Sequence, residues 1–167
     1  MPYQKKWRHS LNAQDPIPES AFGFEAAEDS PGFLLWQTTI TWQRLIKKAL
    51  DGYDISHMQF VIMASLLWFE EHQEFPTQAT ISRLSKIDEM TVSKSLRKLA
   101  MQGYVSRQES SKDTRAKCVS LTSIGRELTA KLIPIVEGID RSFFNAVAKD
   151  DQRELIQILG KIIQENN

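Results

Sequence analysis

The sequence predicts a mainly α-helical protein with a small antiparallel β-wing, and three observations carry that prediction. Val92, Leu96 and Leu99 recur at the i, i+4 and i+7 spacing of a helix, with Met90, Lys94, Arg97, Lys98 and Met101 on the opposite side. Gly103 then stands where a left-handed residue ends a helix, and Tyr104-Val105 opens an extended run that Lys117 to Leu121 can answer. Upstream, Thr77 caps a second short helix whose Ile81, Leu84 and Ile87 give it a buried side. Two short helices followed by a hairpin make a winged helix-turn-helix lobe.

The elements follow in chain order. Residues 1–29 mix charges, Pro16, Pro18 and Gly23 with Trp7, Phe22 and Phe24, the composition of a loosely ordered N-terminal arm. Ser30-Pro31 opens a helix expected to run to about Leu50, since serine caps and proline is preset for the first helical position. Leu35, Thr39, Trp42, Ile46 and Ala49 line one side of it, and Trp36, Ile40 and Leu50 widen the band beyond what one neighbour needs. We therefore read residues 30–52 as an N-terminal dimerisation helix. Residues 53–121 form the lobe: a helix from Ser56 to about His72, buried almost all round, then the two short helices and the hairpin, with Ser110 to Thr114 as its turn. Residues 122–167 are read as C-terminal dimerisation helices. Thr122 caps the first, whose stripe is Ile124, Leu128, Leu132, Ile135, Ile139, Phe143 and Val147, with Pro134 and Gly138 expected to bend it. Asp150 or Asp151 is the expected cap of the last helix, which carries Leu155, Ile158, Leu159, Ile162 and Ile163.

Composition narrows the function classes. The formal net charge is zero, yet the stretch from Arg83 to Lys117 holds nine basic residues against four acidic ones, a local +5 that leaves −5 on the remainder. That segregation places a positive field where phosphates would lie. No apolar run reaches the roughly 18 to 20 residues of a membrane span, and Met1 to Arg8 lacks the apolar core of a signal peptide, so a cytoplasmic protein is expected. Cys118 is the single cysteine, which excludes an intrachain disulfide and reads as a buried structural thiol. His9, His57 and His72 are scattered, with no metal signature, and neither a cofactor nor a catalytic group is expected.

On the helix that carries Val92, Leu96 and Leu99, the residues Thr91, Ser93, Lys94 and Arg97, with Lys98 beside them, are the candidate DNA contacts. Hydroxyls and lysine near a helix N-terminus reach phosphates and base edges, and arginine can donate bidentately to guanine. Arg107 in the first wing strand and Lys112 at the wing tip extend the basic surface. Trp36, Trp42, His57, Phe60 and Trp68, with Tyr53 and Met63, are candidates to line a cleft for a small lipophilic or phenolic effector, because aromatic-rich pockets suit planar ligands.

The succession Gln59-Phe60, Thr77-Gln78, Ile87-Asp88, Met90-Thr91-Val92-Ser93, Leu99 to Gly103, Arg107, Asp113-x-Arg115 and Leu121-Thr122-x-x-Gly125 resembles the MarR family of regulators, from about Ser30 to the C-terminus. Ala100 and Met101 depart from it, where the family commonly has an acidic residue and a lysine. The resemblance implies a two-fold dimer built by the terminal helices, a pseudo-palindromic operator and repression by excluding polymerase. It also implies that Asp113 orients Arg115 at the base of a wing that approaches the minor groove. The thiol sensors of that family usually place their cysteine in the N-terminal helix region, unlike Cys118. The alternative is a protein-binding winged helix that assembles complexes without DNA, against which Lys94, Arg97 and Lys98 speak.

Overall fold

The structure, a computed structural model, describes residues 21–109 and 117–166, apart from the side chains of residues 107–109 and 117. The chain divides into two compact units, Met1–Thr38 and Thr39–Asn167. In the described part of the first, a 3-10 turn at Ala27–Asp29 precedes the start of α1 (Pro31–Leu50). The Ser30 hydroxyl accepts from the Phe33 amide at 3.3 Å, the expected cap, and Phe33 stacks on Trp36.

The second unit contains the rest of α1 and five further helices: α2 (His57–Glu71), α3 (Gln78–Ser85), α4 (Glu89–Met101), α5 (Ser123–Phe144) and α6 (Lys149–Glu165). Between α4 and α5 lie β1 (Val105–Glu109) and β2 (Lys117–Leu121), paired antiparallel from Val105↔Leu121 to Glu109↔Lys117. The fold is therefore mainly α with a small antiparallel wing. No helix among the described residues is long and apolar enough to cross a membrane.

Local chemistry explains the helix starts. Ser56 and Gln59 cap α2 reciprocally, amide to side chain in both directions, at 3.2 and 3.0 Å. Thr77, Asp88 and Thr122 each offer a side-chain oxygen to the amide three residues on, opening α3, α4 and α5. Ile62, Met63, Leu66, Ile81, Val92, Leu96, Leu99 and Leu132 are fully buried and make the core that holds α2 to α5 together. Burial of each such side chain contributes about 1.5–3 kcal/mol.

Helix α2 is buried almost all round, as expected, with only Met58, Trp68 and Glu71 exposed. Three expectations are corrected. Helix α5 buries Gly125, Thr129, Leu132 and Val136, whereas Ile124 and Val147 are exposed. Gly125 packs against the backbone of Tyr104, which leaves the neighbouring Ile124 turned out by a helical step, and Val147 lies three residues beyond the end of α5 at Phe144. The N-cap of α6 is Ala148, so Asp150 and Asp151 lie inside its first turn, where they favour the positive end of the helix dipole without capping it. Gln152 closes that corner instead, donating to the carbonyls of Phe144 and Val147 at 2.8 and 2.9 Å. Cys118, finally, is half-buried, with its Sγ 3.9 Å from the carbonyl oxygen of Phe75.

Candidate nucleic-acid interface

Helix α4 presents two unlike faces. Val92, Leu96 and Leu99 have no exposure, while Lys94, Arg97 and Lys98 are exposed and Met90 and Met101 are 69% and 89% exposed. Its N-terminus is held from two sides. The Asp88 carboxylate accepts from the Thr91 amide at 2.9 Å, and Gln78 at the start of α3 donates to the Glu89 carbonyl at 3.2 Å. The Thr91 hydroxyl, then the backbone amides, hold the Asp88 carboxyl below its ordinary range. Thr91 thus serves the cap, and it and Ser93 are half-buried. The turn from α3 to α4 passes through Lys86 at φ 58, with Ser82 donating to the Ile87 carbonyl at 2.6 Å.

The predicted basic residues differ in their surroundings. Arg97 donates to the Ser93 hydroxyl at 3.3 Å, one turn back. Lys98 lies 3.9 Å from Asp54, a solvent-exposed pair of the kind worth little in stability. Lys94 forms no ion pair among the described residues. Arg107 stands opposite Val119 in the wing ladder. Lys112, Asp113 and Arg115 lie outside the described residues.

Sequence reasoning missed what anchors the wing. Gly103 at φ 79 does end the α4 turn, as its position suggested. At the hairpin's mouth the Tyr104 carbonyl accepts from the Thr122 amide at 3.0 Å, and the Thr122 hydroxyl donates to the Gly103 carbonyl at 2.7 Å. A Cβ on Gly125 would lie 1.9 Å from the Tyr104 oxygen, so only glycine permits this approach. Glu70 of α2 binds the far side: one carboxylate oxygen accepts from the Leu121 amide at 2.9 Å, the other from Arg126 Nε and Nη2 at 3.0 and 2.7 Å. Beyond β2, Thr77 pairs with Cys118 and Val119 donates to the Pro76 carbonyl at 3.1 Å. These partners are 18 to 56 residues apart and leave no local signature.

The aromatic candidates stand in different surroundings. Phe60 is 7% exposed in the core, and Trp68 stacks on His72 at 4.1 Å. Trp36 stacks on Phe33 in the first unit. Trp42 donates to Asp140 at 2.7 Å and meets His57 edge-on, with ring centroids 5.0 Å apart. Of the five, only His57 lines the open groove of about 560 Å³ bounded by Lys47, Asp51, Ile55, Met58, Ile87 and Lys98. Burial pushes the His57 imidazole below its ordinary value, partly offset by the negative charge of Asp140. No cluster of metal-binding side chains occurs among the described residues.

Residues 51–138 match a protein family described as an ArnR1-like, winged-helix domain. The uncharacterized HTH-type transcriptional regulator YdcH of Bacillus subtilis is 41% identical over 128 residues, which covers 77% of this chain and 87% of YdcH. Two solved structures share the fold. One is Bordetella bronchiseptica BpsR, whose DNA binding is described as regulated by 6-hydroxynicotinic acid, with a TM-score of 0.75, 21% identity and coverage of 84% of this chain and 97% of that one. The other is a mutant MarR from Escherichia coli complexed with operator DNA, with a TM-score of 0.71, 22% identity and coverage of 81% and 95%.

Proposed function

Because the chain belongs to the MarR family of winged helix-turn-helix transcriptional regulators, we propose that it binds double-stranded DNA as a homodimer, with α4 in the major groove of each half of a pseudo-palindromic operator. The observation that carries this reading is the division of α4 into a fully buried apolar face and an exposed face bearing Lys94 and Arg97. Packing such a face on protein would require acidic partners for its charges, whereas a polyanion complements it directly. Arg97, steadied by Ser93, is the base reader, and Lys94 and Lys98 are phosphate contacts, Lys98 after leaving Asp54. Thr91 and Ser93 assist from the same turn. Arg107, Lys112 and Arg115, with Asp113 as orienting acid, take the wing's part along the neighbouring backbone.

The dimer follows from surfaces that the single chain leaves open. Helix α6 contains no buried residue, and its Ile156, Ile158, Ile162 and Ile163 are 70%, 48%, 51% and 54% exposed. In the first half of α1, Leu35 and Trp36 are 53% and 59% exposed. Water contact on this scale favours a second copy as cover. An operator-bound dimer represses by excluding polymerase. The His57 groove is the site for a small aromatic or phenolic effector that prefers the unbound geometry and releases DNA, with a coupling of about 1–3 kcal/mol.

The test is a gel shift on the DNA upstream of the protein's own gene, against scrambled DNA, at several salt concentrations. Specific binding whose affinity falls steeply with salt is expected, with Arg97→Ala losing about 1–3 kcal/mol on the operator alone. Equal affinity for operator and scrambled DNA, or no dependence on salt, would defeat the reading.

A further inference from the structure

We infer that Met90 is a specificity-determining residue that packs on the C5 methyl group of a thymine in each operator half-site. The inference rests on the reading that α4 enters the major groove. Met90 is the second residue of α4, and 69% of it is exposed. The core does not want for it, since Val92, Leu96 and Leu99 fill the inner face completely. Lys94 and Arg97 follow it at i+4 and i+7, on the same row of the helix. A large apolar side chain heading a row of cations is poorly suited to a protein partner, which would have to desolvate those charges. It suits a surface that is anionic overall with an apolar feature inside. A DNA duplex offers that feature in one form: the thymine methyl in the major groove.

Position along the helix singles out Met90 from Met101. N-terminal residues of a recognition helix meet base edges, and Met101 lies eleven residues on, about 16 Å along the axis. Presentation is also fixed. The Asp88 cap at 2.9 Å and the Gln78 bond to the Glu89 carbonyl at 3.2 Å pin the turn that holds Met90. Only side-chain rotamers remain to be ordered on binding.

The experiment selects duplexes from a random library with the full-length wild-type protein, then substitutes deoxyuridine for thymine at single positions of the enriched site. Deoxyuridine keeps the pairing edge and removes only the methyl group. Wild type should lose about fourfold in affinity at one thymine of each half-site, the worth of one buried methyl. Met90→Leu should keep that sensitivity, while Met90→Ala and Met90→Gln should bind thymine and deoxyuridine sites alike. Met90 is exposed, so equal thermal melting of the variants is the expected control for folding. Unchanged sensitivity in Met90→Ala, or no sensitive thymine in wild type, overturns the assignment while leaving DNA binding intact. Failure to enrich any sequence overturns the DNA-binding reading itself, and the assignment with it.

Discussion

Replacing Glu70 by alanine tests how the wing is anchored. The substitution strands the Leu121 amide, in a residue only 5% exposed, which had donated to Glu70 at 2.9 Å. An unsatisfied buried amide costs about 1–3 kcal/mol. The lost ion pair adds little, because the Arg126 side chain is 53% exposed against 16% for Glu70, so about 0–1 kcal/mol after solvent screening. Glu70→Ala should therefore destabilise the protein by about 1–4 kcal/mol, lowering Tm by roughly 2 to 16 °C for a chain of this size. Urea unfolding followed by circular dichroism measures the loss. Glu70→Gln retains an acceptor for the Leu121 amide and should recover most of it. Arg126→Ala should cost less than about 1 kcal/mol. The reasoning is refuted by a Glu70→Ala protein within about 0.5 kcal/mol of wild type, the scatter of ordinary surface changes. An Arg126→Ala loss as large as that of Glu70→Ala would refute it equally, by moving the weight from the amide to the ion pair.

Gly125→Ala places a Cβ 1.9 Å from the Tyr104 carbonyl oxygen, which is backbone and cannot turn aside, so a loss of about 3 kcal/mol or more is expected in urea unfolding. A loss below about 1 kcal/mol would mean that the corner opens freely. Glu replacing both Leu159 and Ile162 should yield monomers in sedimentation and weaken operator binding, whereas a wild type already monomeric at micromolar concentration contradicts the dimer. His57, held neutral by burial, binds fewer protons folded than unfolded. Stability should accordingly decline as pH falls below about 6.5 toward the lowered folded value, and His57→Gln should flatten that slope. A wild-type stability curve with no such decline speaks against the buried imidazole.

What could be read from the sequence was local. The spacing of Val92, Leu96 and Leu99, the caps Ser30, Thr77 and Thr122, and the stop at Gly103 each depend on residues within one or two turns, and the structure keeps them all. Phase was harder than period. Helix α5 starts where predicted but ends at Phe144, short of the Val147 that closed the expected stripe, and which of Ile124 and Gly125 faces inward is decided by Tyr104, a residue outside the helix. The Glu70 clamp and the Thr77 bridge to Cys118 join segments 51 and 41 residues apart, and nothing near either partner announces the other. The aromatic set is divided for the same reason: helical spacing groups side chains by face, while Phe60 and His57 are sorted by what packs against them.

The closed mouth of the hairpin separates the wing's root from its tip. Gly103, Tyr104 and Thr122 fasten the two strands where they leave the lobe, and five paired positions carry that alignment outward to Glu109 and Lys117. Seven residues, 110–116, join the strand ends. Closing a loop becomes harder only with the logarithm of its length, so doubling those seven would cost roughly 0.6 kcal/mol. A change in the number of residues that join the strands thus leaves the fastened root, and the helices behind it, little altered.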